Sequence, residues 1–217
     1  MKKSAFVFLL AVCMAVLCGC RADFDPAAFV QGELDLICRE QYTDEFLSAT
    51  GLTKETAAQR YADGIEAETA YFAAVFGIDL SLCGEEAKEE LRAVCRQLCG
   101  HAKYEAGETE ETENGWRVSV TVWPVDTLRQ FRAQEAGALL ADWEARYNKG
   151  EFDAMTAEAY EDAWVTALLN ALDPRLGSIG HAEPETVTAE VAKGEKAGQY
   201  VIAAGDLARV DELLLAY

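Results

Sequence analysis

Histidine is scarce in this chain, whose 217 residues include only two, His101 and His181. Histidine is the side chain whose ordinary pKa lies nearest neutral pH, so few groups are available for acid–base catalysis. The sequence also lacks Gly-x-Ser-x-Gly, a glycine-rich phosphate loop, His-Glu-x-x-His and an EF-hand loop. These absences exclude the familiar signatures of serine hydrolases, nucleotide-binding proteins, metalloproteases and EF-hand calcium-binding proteins.

Basic residues are also few. Lys and Arg number 19 against 38 Asp and Glu, which gives a formal net charge of −19. A nucleic-acid backbone and an anionic lipid surface both repel so acidic a body, and we expect no nucleic-acid partner. The content of 51% hydrophobic and 26% charged residues is that of a globular protein. It excludes a disordered tail, a fibrous repeat and a protein with several membrane spans.

The sequence has one long apolar run, Ala5 to Leu17, which follows Lys2 and Lys3. A helix of this length covers only about 20 Å of a hydrocarbon core about 30 Å thick, too little for a permanent span. A basic start followed by a short apolar run is typical of a secretion signal.

The motif Leu17-Cys18-Gly19-Cys20 resembles the lipobox of bacterial lipoproteins. The resemblance implies cleavage between Gly19 and Cys20 and a diacylglyceryl group, with acyl chains such as palmitate, on the Cys20 sulfur. Cys13 and Cys18 do not fit, because the residues before them are too large. An ordinary cleaved signal and an uncleaved N-terminal anchor remain the alternatives.

The resemblance divides the chain into a signal peptide (1–19), a lipidated tether (20–25) and a single α+β domain (26–217), with possible sub-halves 26–124 and 125–217. Removal of residues 1–19 takes away two lysines and no acid, so the net charge changes from −19 to −21. The residues between Cys20 and the first helix reach less than about 20 Å. We therefore expect the domain to stay beside the membrane, on its extracytoplasmic face.

Hydrophobic periodicity predicts an α+β fold. Helical spacing recurs in six segments, namely 26–42, 53–77, 84–101, 126–148, 153–174 and 207–215, and 43–50 adds a short helical turn. Alternation and turn signals predict strands at 103–112, 116–123, 186–191 and 200–202. Because an isolated hairpin is marginally stable, we expect the two hairpins to share one antiparallel sheet with helices on one face, in two similar halves. The alternative is two loosely coupled lobes that meet near Pro124.

Four cysteines remain after lipidation, Cys38, Cys83, Cys95 and Cys99. They are either buried thiols or members of disulfides between helices, of which the Cys95–Cys99 pairing is the least favoured on geometry. With His101, the last two form only a weak metal pattern, since zinc sites contain further paired ligands. We predict no metal and no cofactor.

Two aromatic residues lie on opposite faces of the strand at 116–123. Trp116 shares its face with three valines and is assigned to the core. Trp123 is a candidate ligand contact, although packing under the fourth helix is an equal alternative. The densest acidic run, at 105–113, is typical of a solvated strand edge and could otherwise attract a cation or a basic partner.

The opening at 25–35, the strand at 118–126 and the ending at 198–217 resemble, together with the lipobox, uncharacterised lipoproteins of Gram-positive gut-type bacteria. This resemblance implies a location on the outer face of a single cell membrane. Because no acid–base or nucleophile set stands out and histidine is scarce, the sequence itself favours a non-enzymatic module that binds a protein, a peptide or a wall polymer. The alternative is a hydrolase that acts on cell-wall or extracellular material through paired carboxylates.

We expect native protein to begin at Cys20 and to carry two acyl chains in thioether linkage through glycerol. Intact mass spectrometry of material extracted from the native membrane measures this directly. An unmodified Cys20 sulfur, or a leader still joined to Cys20, would contradict the assignment.

Overall fold

The computed structural model describes residues 24–217. The signal peptide, Cys20 and the first part of the tether lie outside the described residues. In chain order the elements are α1 (Pro26–Arg39), α2 (Asp44–Thr50), α3 (Lys54–Phe76), α4 (Glu85–Gly100), β1 (Lys103–Thr112), β2 (Gly115–Trp123), α5 (Thr127–Phe131), a π-helical segment (Arg132–Ala136), α6 (Gly137–Asn148), α7 (Ala157–Leu176), β3 (Glu185–Lys193), β4 (Tyr200–Ile202) and α8 (Ala204–Leu214).

The fold is α+β, as predicted, with one antiparallel sheet in the order β1-β2-β3-β4. The two predicted hairpins join because β2 pairs with β3 along its length. Val118, Val120 and Val122 are buried, whereas the residues between them are more exposed. Helices therefore cover one face of the sheet, and α1 and α8 make most of that contact.

Several helix boundaries differ from the prediction in the first half of the chain. The first helix ends at Arg39 and not at residue 42, because Glu40 takes a left-handed conformation and its N–H binds the carbonyls of Asp35 and Leu36. The turn predicted at 43–50 is a separate helix, α2, capped by the Thr43 side chain. Helix α5, the π-helical segment and α6 follow one another without a break from residue 127 to 148. With these three counted as one helix, the described chain has seven helical segments and not six.

Boundaries in the second half also differ. The helix predicted from residue 153 begins at Ala157, where the Thr156 hydroxyl accepts a hydrogen bond from the Ala159 N–H. Pro174 does not end this helix, because proline in the last turn removes only one hydrogen-bond donor. The last helix begins at Ala204, and its predicted cap, Asp206, instead accepts a hydrogen bond from Glu190 in β3 (2.9 Å).

Buried apolar side chains form two clusters. The sheet cluster joins α1, α2 and α8 to the inner face of the sheet, and the helical cluster joins the end of α3 to α4, α5 and α7. The chain passes from one to the other at Val125, whose N–H donates to the Leu214 carbonyl (2.9 Å). Val125 also forms an isolated antiparallel β-bridge with His181. His181 Nε2 lies 2.9 Å from the carbonyl oxygen of His101, the residue that follows α4.

All four cysteines in the described chain are free thiols. Cys38, Cys83 and Cys95 are buried, and Cys99 is partly buried. Burial raises the pKa of Cys38 and of Cys95 to about 12, so both are protonated and unreactive at neutral pH.

We expect Gly115→Ala to destabilise the protein, because a Cβ there would overlap the Val191 carbonyl oxygen and lie 3.1 Å from the Ala192 Cα across the β2–β3 pairing. Overpacking of this kind costs about 3 kcal/mol, and each kcal/mol lowers Tm by about 2–4 °C in a chain of this size. Gly107→Ala is the control, since the nearest atom, the Ser119 carbonyl oxygen, is 3.8 Å away. Equal Tm values for the two variants in thermal unfolding would contradict this account.

Candidate functional site: an apolar cleft beneath helix α6

A cleft of about 410 Å³ lies between the end of α3, the π-helical segment, α6 and α7. Its volume is typical of a small-molecule site. Apolar side chains form most of its wall, namely Val75, Phe76, Ala136, Leu139, Leu140, Trp143, Tyr160, Trp164 and Leu168.

The cleft exists because α6 stands away from the helices below it. Trp143 is the only buried residue of this helix, and Leu140, which faces the cleft, is 49% exposed. Most helices of a soluble protein bury a continuous apolar stripe. α6 instead leaves part of its stripe facing an open space.

Trp143 anchors α6 in an aromatic cluster. Its indole stacks on Phe152 with ring centroids 4.5 Å apart, and its Nε1 donates a hydrogen bond to the Tyr160 hydroxyl (2.9 Å). The Arg146 guanidinium covers the Trp143 ring at 5.0 Å and is held by two hydrogen bonds to Glu151 (3.0 and 2.7 Å). This cluster gives the cleft one rigid wall.

Arg175, near the end of α7, holds the π-helical segment from which α6 begins. Its guanidinium donates two hydrogen bonds to the Glu135 carboxylate (2.7 and 2.6 Å), one to Gln130 (3.1 Å) and one to Gln134 (2.8 Å). These bonds hold the pKa of Glu135 below its usual range. A fork of this kind fixes orientation as well as position, and π-helical turns occur frequently at functional sites.

Two charged side chains line the cleft. Glu161 accepts a hydrogen bond from the Asp79 N–H (3.3 Å). Arg132, in the first turn of the π-helical segment, is exposed and makes no ion pair with any described residue. Arg132 is therefore the charge that an incoming ligand can pair with.

A second cavity of about 180 Å³ lies between α1, α3 and β4. The carboxylate of Glu33 is buried in its wall and forms an ion pair with Arg60. Burial raises the pKa of Glu33, while the Arg60 charge opposes the shift. A small cavity closed by its own ion pair has little capacity for a ligand.

The arrangement of carboxylates bears on the hydrolase alternative. Among the described residues that line the cleft, Glu161 is the only carboxylate. Glu68 and Asp211 have raised pKa values, caused chiefly by burial, and Tyr217 donates a hydrogen bond to Glu68. Neither acid lines either of the two described cavities. The pair of carboxylates that glycoside hydrolysis uses is thus not assembled in the cleft.

The residues singled out from the sequence lie elsewhere. Cys20 is outside the described residues. Trp123 lies on the outer face of the sheet, partly buried, with the Lys103 ammonium 4.3 Å from its ring centroid, and it lines neither cavity. Trp116 packs against the sheet cluster as predicted, but at its margin and only partly buried.

The acidic run and the cysteines form no cluster of metal ligands in the described chain. Residues 24–217 contain no group of three or more His, Cys, Asp or Glu side chains arranged to hold a metal ion. The five acids of the run are exposed on the edge strand β1 and the turn after it. Glu110 pairs with Arg117 across the hairpin at 3.6 Å.

The sequence pattern placed most of the apolar cleft residues on the inner stripes of predicted helices and gave no sign of a cleft between them. The available signal was the width of the apolar stripe on α6, where Leu139 and Leu140 are adjacent and Trp143 and Tyr147 follow. So wide a stripe on a helix with one buried residue leaves apolar surface uncovered.

The fold and the cleft together define an α+β protein with an open apolar cleft. No protein-family model matches the chain, and no curated protein matches it. Its structure is similar to the crystal structure of a putative lipoprotein, ycdA, from Bacillus subtilis, with a TM-score of 0.59 and 18% sequence identity. The match covers 88% of this chain and 56% of that one, so this chain spans little more than half of that protein. The likeness shows a shared fold.

None of the helices within residues 24–217 is both long enough and apolar enough to cross a bilayer.

We expect Arg175→Gln to loosen the π-helical segment, so that amide hydrogen exchange increases across residues 132–148 and Tm falls. Arg92→Gln is a matched control. Arg92 is similarly exposed (22% against 21%) and also pairs with carboxylates, but on α4. Unchanged exchange in Arg175→Gln, or an equal increase at 132–148 in the control, would contradict the role of Arg175.

Proposed function

We propose that this protein is a membrane-anchored extracytoplasmic lipoprotein whose cleft binds a small ligand with an apolar body and an anionic group, without altering it chemically. The observation that carries the proposal is the cleft itself, with its aromatic wall and the unpaired Arg132 at its edge.

Two findings support the membrane anchor. The sequence around Cys20 resembles a lipobox, and the solved structure with the same fold is described as a putative lipoprotein. The resemblance to lipoproteins of Gram-positive gut-type bacteria extends the proposal to the outer face of a single membrane. Two acyl chains give lasting attachment, whereas one chain binds only marginally.

The nature of the cleft wall supports the ligand class. Transfer of apolar ligand surface onto such a wall contributes about 25 cal/mol per Å². A carboxylate at the edge gains a charge-assisted hydrogen bond from Arg132. The net charge of −19 opposes large polyanions, but screening over about 10 Å leaves a single anionic group under the influence of its nearest cation.

Binding without reaction agrees with the groups present. In the described part of the cleft the one carboxylate, Glu161, already accepts a backbone hydrogen bond. The side chains that remain are apolar or aromatic apart from Arg132. Such groups position a ligand but do not supply a nucleophile with its base.

The test compares two probes of equal chain length and opposite charge, dodecanoate and dodecyltrimethylammonium, each below its micelle concentration. Titrated into the chain from residue 21, dodecanoate should bind with one-to-one stoichiometry and more tightly than the cation. Arg132→Gln should weaken dodecanoate about fivefold, corresponding to about 1 kcal/mol, and should not weaken the cation, whose repulsion by Arg132 it removes. Isothermal titration calorimetry measures all four affinities.

Arg209→Gln is the charge-matched control, because Arg209 is exposed on α8 and does not line the cleft. Leu140→Asp should weaken both probes, whereas Tyr147→Asp, on the same helix but outside the lining, should not. Failure of dodecanoate to bind, or equal effects of Arg132→Gln and Arg209→Gln, would refute the proposed ligand class.

A further inference from the structure

The N-terminus of the described chain is fixed at one end of the sheet. The Phe24 ring stacks on Tyr200 with centroids 3.5 Å apart and lies 5.0 Å from Trp116. The next residue, Asp25, caps α1 through a hydrogen bond from the Ala28 N–H (3.0 Å). Phe24 is therefore packed directly against the folded protein. We call this end, with the turns at 112–115 and 193–200, the sheet tip.

The lipid attachment point cannot be far from the sheet tip. Four Cα–Cα steps join Cys20 to Phe24, a reach of about 14 Å when fully extended. If Cys20 carries the acyl chains, the surface of the bilayer lies within this distance of Phe24.

The cleft lies at the other end of the molecule. The loop before α3 touches the sheet tip, because Gly51 abuts the side chain of Gln199, and the last residues of α3 line the cleft. The 23 residues of α3 span about 34 Å. The nine residues of β2 run in the same sense for roughly 26 Å, from the tip toward Val125 and the helical cluster.

Charge is less unfavourable at the sheet tip than over the rest of the surface. The turn between β3 and β4 carries Lys193 and Lys196 against Glu195, and the turn at 112–115 carries Glu113, so the sheet tip as a whole has no net charge in a strongly acidic chain. Anionic headgroups therefore repel the sheet tip less than they repel the acidic remainder of the surface.

We infer that the lipid-anchored protein stands with its sheet tip against the bilayer headgroups and its cleft opening on the aqueous side, about 30 Å farther out. This inference rests on the proposed lipid anchor at Cys20. Its consequence is that the cleft receives its ligand from the aqueous phase and does not extract it from the membrane on which the protein stands.

The test uses full-length lipidated protein reconstituted in phosphatidylcholine–phosphatidylglycerol vesicles that contain a nitroxide-headgroup lipid. A fluorophore is attached at Ala197→Cys in the sheet tip or at Ala145→Cys on α6, both exposed positions. The unsubstituted protein measures background labelling of the native thiols. The nitroxide should quench the probe at 197 several-fold more strongly than the probe at 145, because nitroxide quenching acts only at short range.

Vesicle flotation of the same samples separates the two proposals. Protein that floats with the vesicles but is quenched equally at both positions, or more at 145, is anchored and refutes the orientation. Protein that fails to float refutes the lipid anchor and the orientation together.

Discussion

The position of α6 depends on the insertion of a single indole, Trp143, into an aromatic cluster. All other residues of α6 are at least partly exposed, although Leu139, Leu140 and Tyr147 are apolar or aromatic. Burial of one leucine contributes about 1.5–3 kcal/mol, so a helix free to move would close onto α3 and α7. The π-helical segment opposes this closure, because Arg175 bonds it in an orientation that keeps α6 apart. The cleft is thus a property of the backbone and not a packing defect.

The two clusters of buried apolar side chains lie toward opposite ends of the molecule. The sheet cluster holds the N-terminal residues by aromatic stacking at Phe24, and the helical cluster holds the walls of the cleft. Strand β2 and helix α3 are continuous and run from the sheet cluster toward the helical cluster. The orientation of the N-terminal end therefore fixes the orientation of the cleft. With the proposed lipid anchor at Cys20, a short tether determines how the cleft is presented.

Local patterns were sufficient for most of the fold. The alternation of Val118, Val120 and Val122 identified the central strand and its buried face, and Thr53 with Gly77 bounded α3. The π-helical segment was not predictable, since Arg132–Ala136 contains neither glycine nor proline and its partner, Arg175, is 40 residues beyond Glu135. The cleft was missed for the same reason, because its apolar residues have ordinary helical spacing. The long-range bonds of Arg175 to the π-helical segment, and the contacts of Trp143 with Phe152 and Tyr160, are not visible in that pattern.

Ion pairing distinguishes Arg132 from most other arginines of the described chain. Acidic residues outnumber basic ones two to one, and most described arginines are engaged with carboxylates, as Arg92, Arg146 and Arg175 are. Arg132 differs because it lies in the π-helical segment at the edge of the cleft. The carboxylate of that segment, Glu135, is bound by Arg175 instead. An isolated cation beside apolar surface attracts one anionic group at short range, while the acidic body at longer range opposes binding of a polyanion. The proposed selectivity for a small, singly charged amphiphile thus rests on the distances involved, without a dedicated network of polar contacts.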